Sequence, residues 1–96
     1  MDEMSSVYVV VGSCGEYGDY TEWLVRAFPA RRAAEAFRRA VTREYEKAKR
    51  ECIRRDPAHG AQWYCELEPG MNKLDPAMRG DYTGVEYEVR KVPLGR

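Results

Sequence analysis

One stripe constrains this chain more than anything else in it. Across residues 30–55, Ala30, Ala34, Phe37, Val41, Tyr45, Ala48 and Cys52 recur at the spacing that puts them on one side of an α-helix. Ala, Arg, Glu and Lys fill most of the other positions, and all four favour helix. Pro29 suits the entry to such a helix. Asp56-Pro57 ends it, because the residue before a proline is driven out of helical geometry. A helix with one apolar stripe needs a partner surface to cover that stripe, and the flanking segments supply one.

Residues 6–12 contain the run Val7, Tyr8, Val9, Val10, Val11, which is β-branched and of strand length. An unbroken apolar run predicts a central strand, covered at least partly on both faces. Glycines at 12, 15 and 18 then supply turn chemistry. Residues 20–28 alternate, with Thr21, Trp23, Val25 and Ala27 on one face and Glu22, Leu24, Arg26 and Phe28 on the other. This predicts a second strand, hairpinned to the first. Residues 84–94 alternate Val85, Tyr87 and Val89 inward against Glu86, Glu88 and Arg90 outward, with Pro93 protecting the edge. Residues 62–68 form a candidate short strand, and Pro69-Gly70 and Asp75-Pro76 are turn signals.

The expected architecture is α+β. A small antiparallel sheet of three to four strands, in the order β-β-α-(β)-β, carries one long amphipathic helix on one face. Trp23, Val25, Phe37, Val41, Val85, Tyr87 and Val89 are its expected core. At 96 residues the chain is one domain, with an irregular segment at about 56–83. An open second sheet face would favour a homodimer.

Charged residues make up 33% of the chain, which requires a well-solvated surface. The formal net charge of zero hides a segregation. Residues 1–29 hold five acids and one base, residues 30–55 ten bases and four acids, and residues 56–96 five bases and seven acids. A basic helix is thus flanked by acidic segments. No apolar run is long enough to cross a bilayer, and the acidic start Met1-Asp2-Glu3-Met4 is unlike a signal peptide, so a cytoplasmic location and no membrane partner are expected. Cys14, Cys52 and Cys65 are odd in number with no C-x-x-C spacing, which argues against a secreted disulfide framework.

Two groups of residues stand out as contact candidates. Arg32, Arg39, Arg43, Arg50 and Arg54 are spaced 7, 4, 7 and 4 apart, opposite the apolar stripe. They form a basic ridge suited to phosphates or to an acidic protein surface. The same residues also read as a solvated face, with Glu35–Arg39, Glu46–Arg50 and Glu51–Arg55 as internal pairs. The loop and strand start carrying Glu16, Tyr17, Asp19, Tyr20 and Glu22 interleave acid with tyrosine, a composition suited to protein contact, and this loop is the expected contact surface, with the ridge second. A third reading is a small-ligand pocket lined by Trp23, Tyr45 and Tyr87.

Catalysis, cofactor and metal binding find little support. The glycines at 12, 15 and 18 do not make a phosphate-cradling G-x-G-x-x-G before a helix. Cys14, Cys52, Cys65 and His59 lack the close ligand pairs of a zinc site, and Cys52 on the apolar stripe reads as a buried thiol. Cys14 in a glycine-rich loop is the one candidate for an exposed nucleophile, with nothing to bring His59 beside it. The expectation is a protein with no cofactor, no metal and no enzyme activity.

The run Ser13-Cys14-Gly15-Glu16-Tyr17-Gly18-Asp19-Tyr20, with Trp23 and Ala27-Phe28 after it, resembles the opening of small phage- and prophage-encoded bacterial proteins. The closing Gly84-Val85-Glu86-Tyr87-Glu88-Val89 with Val92-Pro93-Leu94 is similar to how such proteins end. The resemblance covers about the first forty and last eleven residues. It implies a strand–loop–strand–helix–strand fold and a mobile-element setting. From that setting follows the expectation of a protein-binding module that inhibits a host defence or regulatory protein, in the manner of an anti-CRISPR protein. Nucleic-acid binding through the ridge is the alternative.

Overall fold

A computed structural model describes residues 6–16, 18, 20–55, 57, 67, 70–80 and 84–94. The elements are β1 (Ser6–Cys14), β2 (Thr21–Phe28), α1 (Arg31–Arg55) and β3 (Glu86–Pro93). The three strands form an antiparallel sheet in the order β2-β1-β3, so the valine-rich strand is central as its composition predicts. Helix α1 packs on one face of this sheet. The fold is α+β. The candidate strand at 62–68 lies outside the described residues, apart from Leu67, which packs against the core.

The stripe on α1 is buried from Ala34 onward, where Ala34, Val41, Tyr45, Ala48 and Cys52 all face inward, whereas Ala30 precedes the helix and is exposed. They meet Val10 and Cys14 of β1, Val85, and Tyr87 of β3. Each fully buried aliphatic side chain, such as Val10 or Val41, stabilises the fold by roughly 1.5–3 kcal/mol relative to exposure. Trp23, Val25, Phe37 and Val89 are partly buried around that cluster. Arg54 and Arg55 close the helix, where positive charge complements the macrodipole. Its first turn holds no acid, and Arg31 there lies 4.9 Å from the centre of the Tyr8 ring instead.

Four expectations need correction. The first strand does not end at Gly12; it continues to Cys14, and the turn begins with Gly15 at φ 95°. Gly12 pairs within the sheet with Trp23 and Tyr87, and a glycine suits the position because the indole of Trp23 occupies the space above it. A Cβ there would lie 2.6 Å from Trp23 Cε2.

The second correction concerns which face the end of β2 presents. Tyr8 pairs with Phe28, Val9 with Ala27 and Val10 with Arg26, but Val11 pairs with Leu24. This bulge at Val25 shifts the alternation by one residue. Phe28 therefore packs against the core and stands 5.4 Å from the Phe37 ring, while Ala27 is exposed. Arg26 shares that face with Phe28 but stays exposed, its guanidinium 5.6 Å from the centres of the Phe28 and Phe37 rings.

Third, Cys14 is a buried side chain in the core cluster and not an exposed nucleophile, because β1 runs on to include it. Fourth, Cys52 is buried but disulfide-bonded, since an odd total of cysteines does not prevent one pair.

Candidate interaction surfaces

The outward side of α1 presents Arg32, Arg39, Arg43, Arg50 and Arg54, all exposed. The predicted glutamate–arginine pairs at i,i+4 are not the ones formed. Glu35 accepts from Arg38 Nε at 3.0 Å, and Glu51 accepts from Arg54 Nε at 3.0 Å and Nη2 at 2.5 Å. Residues three and four apart are both within reach on a helix. The closer partner takes the carboxylate in each case, and the Arg54 bond holds Glu51 below its ordinary pKa. Among the described residues, Arg32, Arg39, Arg43 and Arg50 have no ion-pair partner. Neither does Glu46, which is exposed between Arg43 and Arg50.

The opposite side of the molecule has different chemistry. Val10 points to the helix, so Val9, Val11 and Ser13 of β1 point away from it. On that face Arg90 of β3, opposite Val9, reaches Glu22 of β2, opposite Ser13. Its Nη1 and Nη2 are 3.1 and 2.5 Å from the two Glu22 oxygens, and Nε bonds Glu88. Tyr20 adds its hydroxyl to Glu22 at 2.8 Å. With Arg90 and then Tyr20 donating to it, the Glu22 carboxyl falls to a pKa of about 2. The same contacts raise the Arg90 pKa. An ion-pair bar thus crosses the central strand, with Leu24 beside it 78% exposed.

Of the predicted loop contacts, Glu16 is exposed, Tyr20 is 52% exposed and Glu22 belongs to the bar. Tyr17 and Asp19 lie outside the described residues, as do His59 and Cys65. Tyr20 and Glu22 therefore sit on a different surface from the ridge and do not combine with it into one site.

Of the aromatic trio proposed to line a pocket, Tyr45 packs in the core cluster, while Trp23 and Tyr87 converge on a residue that periodicity does not reveal. Asp75 is 1% exposed. Its Oδ2 accepts from Trp23 Nε1 at 2.9 Å and from the Tyr87 hydroxyl at 2.8 Å, and its Oδ1 from the Ala77 amide at 3.0 Å. Burial, then the Asp75 hydrogen bond, pushes the Tyr87 pKa well above the ordinary tyrosine range, so Tyr87 stays a donor. Arg79 lies 5.0 Å over the Trp23 ring. A second carboxylate acts from the helix: Glu44 accepts from the amides of Lys73 and Leu74 at 3.0 and 2.9 Å.

These bonds dock segment 70–80 against sheet and helix, and they occupy the polar groups of Trp23 and Tyr87. No buried side-chain nitrogen or oxygen among the described residues lacks a partner. A cavity of about 350 Å³ lies between α1 and residues 70–71, lined by Glu44, Lys47, Ala48, Glu51, Gly70 and Met71. No group of histidine, cysteine and acidic residues among the described residues could hold a metal ion. No helix among them is long and apolar enough to cross a membrane. No protein-family model, curated protein or solved structure matches the chain.

Proposed function

We propose that this chain is a non-catalytic binding module that docks onto an acidic surface of a partner protein through the outward side of α1. One observation carries the reading. Four arginines stand exposed in a line, and their neighbouring carboxylates are either engaged elsewhere or unpaired. Guanidinium forks suit carboxylates, and an exposed charge that serves no internal pair is available to a partner. Glu46 within the same face favours a protein over nucleic acid, because a carboxylate there repels phosphates.

The resemblance carried by the opening strand and loop makes a host defence or regulatory protein the partner class to test first, in a cytoplasmic setting. Tyr20 supports the acidic loop as a second contact, since its half-exposed ring is held in place through Glu22.

The test is a pull-down with the intact chain and with an Arg39→Glu/Arg43→Glu variant, each before and after nuclease treatment. The reading expects a nuclease-resistant protein retained by the wild type and lost by the variant. Both chains should melt at the same temperature, since exposed unpaired positions change stability by no more than about 0.5 kcal/mol. Capture that disappears with nuclease assigns the ridge to nucleic acid. Capture indifferent to the charge reversal but lost in Tyr20→Ala moves the contact to the loop.

A further inference from the structure

Resting on that reading, we infer that the partner element seated on the ridge is itself an α-helix, acidic along one line and lying parallel or antiparallel to α1. The inference comes from the spacing of the unpaired arginines, which step 7, 4 and 7 residues along α1. Seven and four residues are close to whole numbers of helical turns, so Arg32, Arg39, Arg43 and Arg50 stay within a sector of about 40°. At ~1.5 Å per residue they fall at steps of about 10.5, 6 and 10.5 Å, on a line ~27 Å long.

Those steps discriminate between possible occupants. A second helix with carboxylates at the same 7-4-7 spacing reproduces them, because it has the same rise and the same return to one face. An extended strand does not. At ~3.3 Å per residue the steps correspond to about 3, 2 and 3 residues, and side chains alternate between faces. Only two of four carboxylates would then point at the ridge. Duplex nucleic acid fits less well again, because its phosphates follow a curved path and Glu46 stands among the arginines. Glu46 instead asks for a lysine or arginine on the partner helix, opposite the interval between Arg43 and Arg50. Such a cation would also exclude partners whose acidic line is uninterrupted.

The experiment measures fluorescence anisotropy of the full chain with labelled peptides of 25 residues, helical by virtue of glutamate–lysine pairs on the side away from the ridge. The first peptide carries glutamates at 7-4-7 spacing and a lysine placed to meet Glu46. The second has the same composition with those glutamates distributed around the helix. A third probe is a 20-base-pair DNA duplex.

Four exposed ion pairs acting together predict a preference of about tenfold or more for the first peptide over the second. The preference should vanish in Arg39→Glu/Arg43→Glu, and Glu46→Lys should remove the benefit of the lysine. Equal binding of the two peptides, weakened alike by the charge reversal, overturns the helix inference while the ridge still binds acidic chains. Binding of both peptides unaffected by the charge reversal removes the ridge itself. A duplex bound more tightly than the first peptide replaces the partner helix with nucleic acid.

Discussion

The indole nitrogen of Trp23 donates to the carboxylate of Asp75, 52 residues further along the chain, at 2.9 Å. Tyr87 donates to the same oxygen, so one buried acid joins β2, β3 and the turn that carries it. An acid in that position is costly to bury alone, and three donors compensate for the loss of water.

Replacing Asp75 by alanine leaves the buried Tyr87 hydroxyl and the half-buried Trp23 indole nitrogen without their acceptor. Each unsatisfied donor costs about 1–3 kcal/mol, so Asp75→Ala should destabilise the fold by roughly 3 kcal/mol or more. Urea denaturation followed by tryptophan fluorescence measures this directly. A loss below about 0.5 kcal/mol, the size of an ordinary surface change, would show that the cluster does not hold the fold.

Gly12→Ala should clash with the Trp23 indole, since the added carbon meets the ring edge at 2.6 Å. Overpacking of this kind costs about 1–3 kcal/mol. A smaller ring should relieve it, so Gly12→Ala combined with Trp23→Phe is expected to cost less than the two single changes added together. Strict additivity of the melting temperatures would mean the strand accommodates the methyl group by another route.

The Glu22–Arg90 bar gives a pH signature. The Glu22 pKa is depressed in the folded chain from 4.5 to about 2, so its contribution is complete above pH 4.5. Stability from this group is then lost as the pH falls from 4.5 towards 2. Glu22→Gln should remove that part of the acid sensitivity. The two chains should therefore converge in melting temperature as the pH approaches 2, and the difference should shrink in high salt, because the pair is exposed. A constant gap from pH 7 to pH 2 would place the effect of the substitution elsewhere.

Glu44→Ala should loosen residues 73–74 against α1 without unfolding the sheet, because among the described residues the hydrogen bonds Glu44 accepts are those of the Lys73 and Leu74 amides. Hydrogen exchange is the readout. Those two amides should lose protection while Val10 and Val41 keep theirs, the pattern of local opening and not of global unfolding.

The elements that could be read from the sequence are those with a period. Helix α1 and its buried stripe follow from Ala34, Val41, Tyr45, Ala48 and Cys52 alone, and the outward arginines follow by the same arithmetic. The central position of β1 follows from its valines. Alternation failed where the chain departs from regular spacing. The bulge at Val25 exchanged the faces of Ala27 and Phe28, and nothing in residues 20–28 marks it, since the extra residue is defined only against the partner strand. Asp75 was legible only as a turn residue before Pro76. Its burial depends on Trp23 and Tyr87, which reach it from 52 and 12 residues away, beyond any local pattern. Pairing at i,i+3 was missed for a simpler reason: both separations are open to a glutamate, and sequence does not choose between them.

The two sides of α1 answer to separate demands. The inward side is committed to Val10, Cys14, Val85 and Tyr87, while the outward arginines at 32, 39, 43 and 50 make no ion pair among the described residues. Those four positions can drift, reverse charge or be redesigned at almost no structural penalty. Two proteins could then share every inward residue of this helix and still answer to different partners.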